Sequence, residues 1–275
     1  MVAACYGSSM VDFWDISAED GSHRFITATS LPGKPSPGRK HHRPHQAVLD
    51  PTGRFFIVPN LGGDTLLVFN DKSYADTHII RCTEVPVPTG VGPRHVAFLA
   101  NSGNHYLVMV GELSNELFLF GVEYVDGKLQ LNQIQRQSTY GNSPPKDPSV
   151  AATAELVVAK NQRDVYVSNR FTGDETDHIA HFVFRGEHGV VRLDYVGRVS
   201  SGGLQPRVFS LSADDEQEFV FVGNDTGESG LVALKRDPKR GILAPTPVAT
   251  MSHTELAAPG LSADKIKGPQ FVGEI

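Results

Sequence analysis

The feature of this sequence that most restricts its fold is an internal repeat with a period near 55 residues. Each repeat contains a short apolar strand, a small or polar residue, a turn, and a second strand of alternating polarity. The residue between strand and turn recurs at separations of 55, 52, 57 and 55 residues, at Cys5, Asn60, Glu112, Asn169 and Asn224. A repeat of this length is one supersecondary unit, which buries its apolar faces only by stacking on its neighbours.

A second motif precedes four of these positions and adds another strand to the repeat. It reads PHQAVLDPTGR from Pro44, PRHVAFLANSGN from Pro93, TAELVVAKNQRD from Thr153 and PRVFSLSADDEQ from Pro206. A further strand follows, as in KLQLNQIQRQ from Lys128. Four short strands per unit, separated by turns rich in Gly, Pro, Asn and Asp, predict an all-β protein, a β-propeller with about five four-stranded blades. A β-sandwich is the alternative, but it does not require repeats of such even spacing.

Composition limits the partners of the chain. It has 275 residues, 25 Lys and Arg against 31 Asp and Glu, and a net charge of -6, so it lacks the basic surface of a nucleic-acid-binding protein. No apolar run approaches the roughly 18–20 residues of a membrane-spanning helix, and no signal peptide is visible. Two cysteines, Cys5 and Cys82, are too few for a disulfide framework. We predict a cytoplasmic protein with free thiols that binds neither nucleic acid nor membrane.

The polar residues at the strand ends indicate a site. The start of the first strand and the end of the second strand of a blade lie at the same face of the disc, because the two strands are antiparallel. The residues expected at this mouth of the central channel are His45, Arg94 and Arg207 from first strands, and Glu112 and Arg170 from second strands. Three guanidinium groups suit an anionic small-molecule substrate, and one carboxylate or imidazole suits acid/base chemistry. No cofactor is needed for such chemistry.

Two neighbouring features are assigned other roles. His95 follows Arg94 in a strand and is expected to point to the opposite face, into the core or between blades. The KHHRPH segment from Lys40 to His45 has three histidines, the number of ligands in many catalytic zinc sites. Its Lys and Arg side chains oppose cation binding, so we predict no metal site.

Four motifs of this sequence closely resemble those of the seven-bladed propeller lactonases. They are PHQAVLDPTGRFFIVPNLGGD, GPRHVAFLANSGNHYLVMVGELSN, VYVSNR and QPRVFSLS. That family includes bacterial 6-phosphogluconolactonases and fungal carboxymuconate lactonizing enzymes. The resemblance runs from about Ala3 to the C-terminus. It implies that the active site comprises His45, Arg94, Glu112 and Arg170, with Arg207 as a further substrate-binding residue.

The resemblance also bears on domain organisation. Met1 falls inside a repeat, and the segment from Gly268 is expected to form a strand that closes a ring. Residues 1–275 are therefore interpreted as a single propeller domain that starts in mid-blade and lacks about two N-terminal blades of a seven-bladed fold. The sequence does not predict an oligomeric state.

Three functions remain open from the sequence. The first is hydrolysis of an anionic sugar lactone such as 6-phosphogluconolactone, with water activated by Glu112 or His45 and the arginines binding the anion and the oxyanion. The second is lactone-forming cycloisomerisation of 3-carboxy-cis,cis-muconate, which needs the same groups. The third is a non-catalytic binding propeller or an inactive truncated fragment.

Overall fold

The structure is a computed structural model that describes residues 1–70, 82–187, 189–257 and 268–273. In these ranges it has five antiparallel sheets and one short helix, α1 (His253–Leu256). Each sheet is a meander, because its strands lie side by side in chain order. The prediction of an all-β protein with about five blades is confirmed. No helix in the described ranges is long and apolar enough to cross a bilayer.

The strands divide among the sheets as follows. The first sheet contains β1 (Val2–Cys5), β2 (Met10–Asp15) and β3 (Arg24–Ser30). The second contains β4 (Val48–Leu49), β5 (Phe55–Asn60), β6 (Thr65–Asn70) and β7 (Cys82–Pro86). The third contains β8 (Pro93–Asn101), β9 (Asn104–Gly111), β10 (Glu116–Val125) and β11 (Lys128–Ser138). The fourth contains β12 (Ala152–Val158), β13 (Asp164–Arg170), β14 (His178–Glu187) and β15 (Val190–Ser200). The fifth contains β16 (Leu204–Leu211), β17 (Phe219–Thr226), β18 (Ser229–Arg236) and β19 (Leu243–Ser252).

Apolar side chains of facing sheets form a core in each of the four spaces between consecutive sheets. Strand β13 shows how this arises, because it is buried along its whole length. Val165 and Val167 pack toward the third sheet, whereas Tyr166 packs toward the fifth. Alternate side chains of a strand point to opposite faces, so a strand between two sheets must be apolar on both. The first strands of the last three sheets lie next to one another and are the innermost, with β12 contacting β8 and β16.

The innermost strands share an irregularity close to their starts. Pro93 pairs with Gly111 and His95 pairs with Val110, so Arg94 is one extra residue in β8. Equivalent shifts occur in β12 after Thr153, in β16 after Pro206, and between the bridge at Pro44 and strand β4. A β-bulge of this kind bends the strand and redirects side chains. At the bulge of each innermost strand, two consecutive side chains therefore depart from the alternation between opposite faces that a regular strand has.

The strand register corrects the alignment of Glu112 within the repeat. Asn60, Asn169 and Asn224 pair with Pro44, Thr153 and Pro206, the residues after which the register shifts. In the third sheet the residue in that position is Gly111, which pairs with Pro93. Glu112 is thus the residue after the repeated position and corresponds to Arg170, not to Asn169. The alignment of the repeats from sequence matched Glu112 with Asn169, one residue before its true equivalent, because Gly111 has no side chain to mark the repeated position.

The repeated asparagines connect consecutive blades. Asn169 and Asn224 are completely buried, and their side-chain amides donate to the carbonyls of Thr139 and Ser201. Asn60 accepts from the backbone N–H of Arg43 at 3.0 Å. These bonds satisfy backbone groups that the turns leave without a partner, so the repeated asparagines have a structural role.

The described part of the C-terminal segment is not a strand, and that expectation was wrong. The Gly268 N–H and the Gln270 side chain both bond to Asp225, on the backbone carbonyl and the carboxylate respectively. Bonds to one residue do not form the ladder that a strand requires. Missing N-terminal blades remain a prediction. Cys5 is a half-buried free thiol, and the side chain of Cys82 lies outside the described structure.

Candidate functional site

A carboxylate held between two arginines forms the centre of the candidate site. Arg94 Nε lies 2.9 Å from Glu112 Oε2, and an Arg170 terminal nitrogen lies 3.3 Å from Glu112 Oε1. Both arginines are buried, whereas the Glu112 side chain is 20% exposed. One negative charge therefore faces two buried positive charges, and this group retains a net positive charge that attracts anions.

Backbone contacts position these three side chains. Arg94 occupies the bulge in β8, Glu112 directly follows β9, and Arg170 ends β13 of the next sheet. The Glu112 N–H donates to the Gly92 carbonyl at 2.9 Å, and the Thr153 N–H donates to the Glu112 carbonyl at 3.3 Å. Glu112 is therefore fixed between the third and fourth sheets, where it reaches an arginine from each.

His45 lies beside this group in a neutral, dehydrated position. Its ring centroid is 5.0 Å from that of His95 and 5.5 Å from that of Tyr6, both in edge-to-face geometry. Nδ1 of His45 is buried and has no hydrogen-bond partner among the described residues. Burial and, after it, the charges of Arg94, of His95 when protonated and of Arg207 together lower the pKa of His45 to about 2. A neutral imidazole with a free nitrogen can accept a proton.

Arg207 lies at the same mouth and supplies an additional positive charge. Its charge acts on both His45 and Arg94, although it comes from β16 of the fifth sheet. Its guanidinium group is half-buried and forms no ion pair with any carboxylate in the described ranges. Burial, followed by the charge of Arg170, lowers the pKa of Arg94 to about 10, so Arg94 stays charged at neutral pH. The structure thus brings all five predicted residues to one region.

His95 lies between two blades, as expected, but the expectation that it points to the face opposite Arg94 was wrong. The bulge at Arg94 and His95 changes the alternation of side chains in β8. Nδ1 of His95 lies 2.6 Å from Oε1 of Glu155, and its Nε2 lies 3.4 Å from a terminal nitrogen of Arg94. The carboxylate fixes the tautomer with hydrogen on Nδ1, so Nε2 accepts from Arg94.

The His95–Glu155 pair is a neutral imidazole bonded to a carboxylate. Burial lowers the pKa of His95. Burial acts to raise the pKa of Glu155, but the electrostatic attraction and hydrogen bond of the His95 N–H and the charge of Arg94 outweigh it, and the net pKa is lowered. Glu155 is the residue that sequence reasoning missed. The sequence did indicate it, because Glu155 occupies the same position in the motif TAELVV as His95 does in the motif PRHVAF.

The histidines of the KHHRPH segment diverge. His42 is buried and its Nδ1 lies 3.0 Å from the side-chain amide nitrogen of Asn60. His41 is exposed on the loop, and only His45 reaches the mouth. Among residues 1–70, 82–187, 189–257 and 268–273, no three His, Cys, Asp or Glu side chains converge as metal ligands.

Comparison with known proteins identifies the family of this chain. The family model described as "Lactonase, 7-bladed beta-propeller" matches residues 1–255. The chain belongs to the seven-bladed propeller lactonase family. It is 28% identical over 260 residues to a "Probable 6-phosphogluconolactonase" of Arthroderma benhamiae, covering 91% of this chain and 62% of the relative. It is also 28% identical over 249 residues to a 6-phosphogluconolactonase of Bacillus subtilis, covering 90% and 66%.

A solved structure agrees with the assignment of this chain to the lactonase family. The periplasmic gluconolactonase of Pseudomonas aeruginosa superposes with a TM-score of 0.76 at 25% identity, over 91% of this chain and 66% of the other. The chain therefore spans less than two thirds of each of these three relatives. Their names give the cycloisomerase alternative no support. The cytoplasmic location of this chain remains a prediction.

Proposed function

We propose that this chain is a lactonase that hydrolyses an anionic sugar lactone such as 6-phosphogluconolactone by acid/base catalysis with protein side chains. The observation that carries the proposal is the neutral, unpartnered His45 beside the buried Arg94–Glu112–Arg170 group. The names of the relatives from Arthroderma benhamiae and Bacillus subtilis agree with it.

His45 is the proposed general base. It takes a proton from a water molecule as the water oxygen attacks the carbonyl carbon of the lactone, and the carbonyl oxygen becomes an oxyanion. Arg94 and Arg170 stabilise this oxyanion. When the ring carbon–oxygen bond breaks, the imidazolium returns its proton to the leaving alkoxide, and a hydroxy acid results. Burial is the largest cause of the low pKa of His45 and the nearby cations add to it; a bound anionic substrate offsets the contribution of the cations, and that part of the basicity is regained on binding.

Glu112 has a different proposed role. Its two carboxylate oxygens lie 2.9 Å and 3.3 Å from guanidinium nitrogens of Arg94 and Arg170, so its proposed role is to hold these two side chains. It sets the spacing of Arg94 and Arg170 and lowers the free energy of placing two buried positive charges side by side. Of the two bases left open by the sequence, the geometry therefore favours His45.

The proposal predicts that the purified 275-residue chain accelerates acid release from fresh 6-phosphogluconolactone above the spontaneous rate. Glu112→Gln is expected to reduce kcat/KM by about 100-fold, because the two guanidinium groups lose the charge that orders them. The measurement is continuous titration of released acid.

The matched control is Glu116→Gln. Glu116 pairs with the exposed Arg136 at 2.6 Å on the same sheet, so its replacement is expected to leave the rate unchanged. Absence of acceleration by a wild-type chain that still melts cooperatively would contradict the lactonase proposal and favour a non-catalytic propeller.

A further inference from the structure

A basic cavity adjoins the candidate site. It has a volume of about 450 Å³, and its lining includes Glu112 and Leu113. Tyr6, Arg39, Lys40 and Arg43 also line it. A larger cavity of about 630 Å³ on the fifth sheet is lined by Asp214, Asp215, Glu216 and Glu218, and its charge is wrong for an anionic ligand.

Three side chains that line the basic cavity carry a permanent positive charge, Arg39, Lys40 and Arg43, and they differ in their partners. Within the described ranges, neither Lys40 nor Arg43 pairs with a carboxylate, whereas neighbouring Arg39 lies 3.2 Å from Asp64. The Arg43 guanidinium group is held 4.6 Å above the Tyr6 ring, with its edges free to donate. Unpaired guanidinium and ammonium groups that share one cavity form a binding site for an anion.

The segment that carries these cations is ordered in advance of binding. The Arg43 N–H donates to the Asn60 side chain at 3.0 Å, and the Arg43 carbonyl accepts from the Leu61 N–H at 3.0 Å. The His42 carbonyl accepts from the Ser9 hydroxyl at 2.7 Å. A side chain at Gly62 would collide with the backbone of this segment, so the close approach requires glycine there. Little conformational entropy is then lost when a ligand binds.

Tyr6 relates this cavity to the reaction centre. Its ring lies 4.6 Å from the Arg43 guanidinium carbon and 5.5 Å, between centroids, from the ring of His45. Arg43 therefore lies one aromatic ring away from the proposed base. A phosphorylated sugar lactone carries its carbonyl at one end and an anionic group at the other, which calls for two such neighbouring positions.

We propose that Arg43 and Lys40 form a subsite for the phosphate group of a phosphorylated sugar lactone, while Arg94 and Arg170 act at the carbonyl. The inference rests on the proposed lactonase function and specifies its substrate class. Arg43 donates in bidentate fashion to two phosphate oxygens, and Lys40 supplies a second positive charge for the dianion.

The test compares phosphorylated and unphosphorylated substrates. Arg43→Gln is expected to raise KM for 6-phosphogluconolactone about 10- to 100-fold and to leave hydrolysis of gluconolactone unchanged. Lys40→Gln, at an exposed position that does not endanger folding, is expected to raise the same KM about 3- to 10-fold. Arg54→Gln is the matched control, because Arg54 also stacks on aromatic rings, Phe55 and Tyr124, but at the opposite end of β5. Arg54→Gln should change the KM of neither lactone.

A second readout separates this inference from the lactonase proposal. Calorimetric titration with inorganic phosphate and with 6-phosphogluconate should show binding to the wild type that weakens about 10-fold or more in Arg43→Gln. Loss of phosphate binding in that variant would support the subsite even if neither lactone were hydrolysed. Hydrolysis with an unaltered KM and unaltered phosphate affinity would overturn the subsite and leave the lactonase intact. An equal loss for both lactones, or a larger loss for a lactone carrying a carboxylate, would also overturn it.

Discussion

Replacing His45 with Asn is expected to lower kcat for lactone hydrolysis by about 1,000-fold, within the range that a general base contributes. The reason is that His45 combines a neutral imidazole with a buried Nδ1 that has no partner among the described residues. KM should change little, because the arginines that attract the anion remain. The measurement is steady-state acid release, with thermal melting to confirm that the variant folds.

The pH dependence of the same reaction tests the charge state of His45. Its pKa of about 2 in the free protein keeps the imidazole neutral throughout the range in which the chain is assayed. We therefore expect kcat/KM for gluconolactone, which has no phosphate to titrate, to show no loss from His45 protonation as pH falls from 8 to 5. A limb near the ordinary histidine value of 6.5 that vanishes in His45→Asn would contradict the burial of this base.

Replacing Asp164 with Asn is expected to lower the free energy of unfolding by about 3–5 kcal/mol, the cost of leaving a buried charge without its partner. Asp164 is fully buried and lies 2.7 Å from a terminal nitrogen of Arg236 and 3.1 Å from Nε2 of His181. Arg236 belongs to β18 of the fifth sheet, so this ion pair connects two blades. Denaturant unfolding measures the effect.

The matched control for stability is Asp194→Asn. Asp194 pairs with Arg185 and Arg192 on an exposed surface, and its loss is expected to cost about 1 kcal/mol or less. An equally small effect at Asp164 would contradict the assigned role of the buried pair.

Acid should weaken the same interaction. Burial acts to raise the pKa of Asp164, but hydrogen bonds from His181 and Arg163 outweigh it and hold the pKa well below its ordinary value. A lowered pKa in the folded state contributes stability above the unfolded value of roughly 4, and this stability is lost as pH falls below it. The wild type should therefore lose more unfolding free energy between about pH 4 and pH 2 than Asp164→Asn does.

The sequence predicted the fold more completely than it predicted the contacts within the candidate site. The repeat and its turns were sufficient to predict the β-propeller and to place Arg94 and Arg170 at one mouth. They failed at His95, because one inserted residue in β8 redirects a side chain and the two-residue periodicity does not reveal it. They also assigned Glu112 to the repeated asparagine position, which the strand register gives to Gly111.

The sequence by itself determined which elements form, because turn residues and alternating apolar positions act within a few residues of one another. It also supplied the residue types of an anion site at equivalent ends of successive strands. Only the tertiary structure decided that Glu112 bridges two arginines, that Glu155 bonds His95, and that Tyr6 contacts both Arg43 and His45. These contacts join residues from different sheets, and their distances depend on bulges and blade packing that no local pattern encodes.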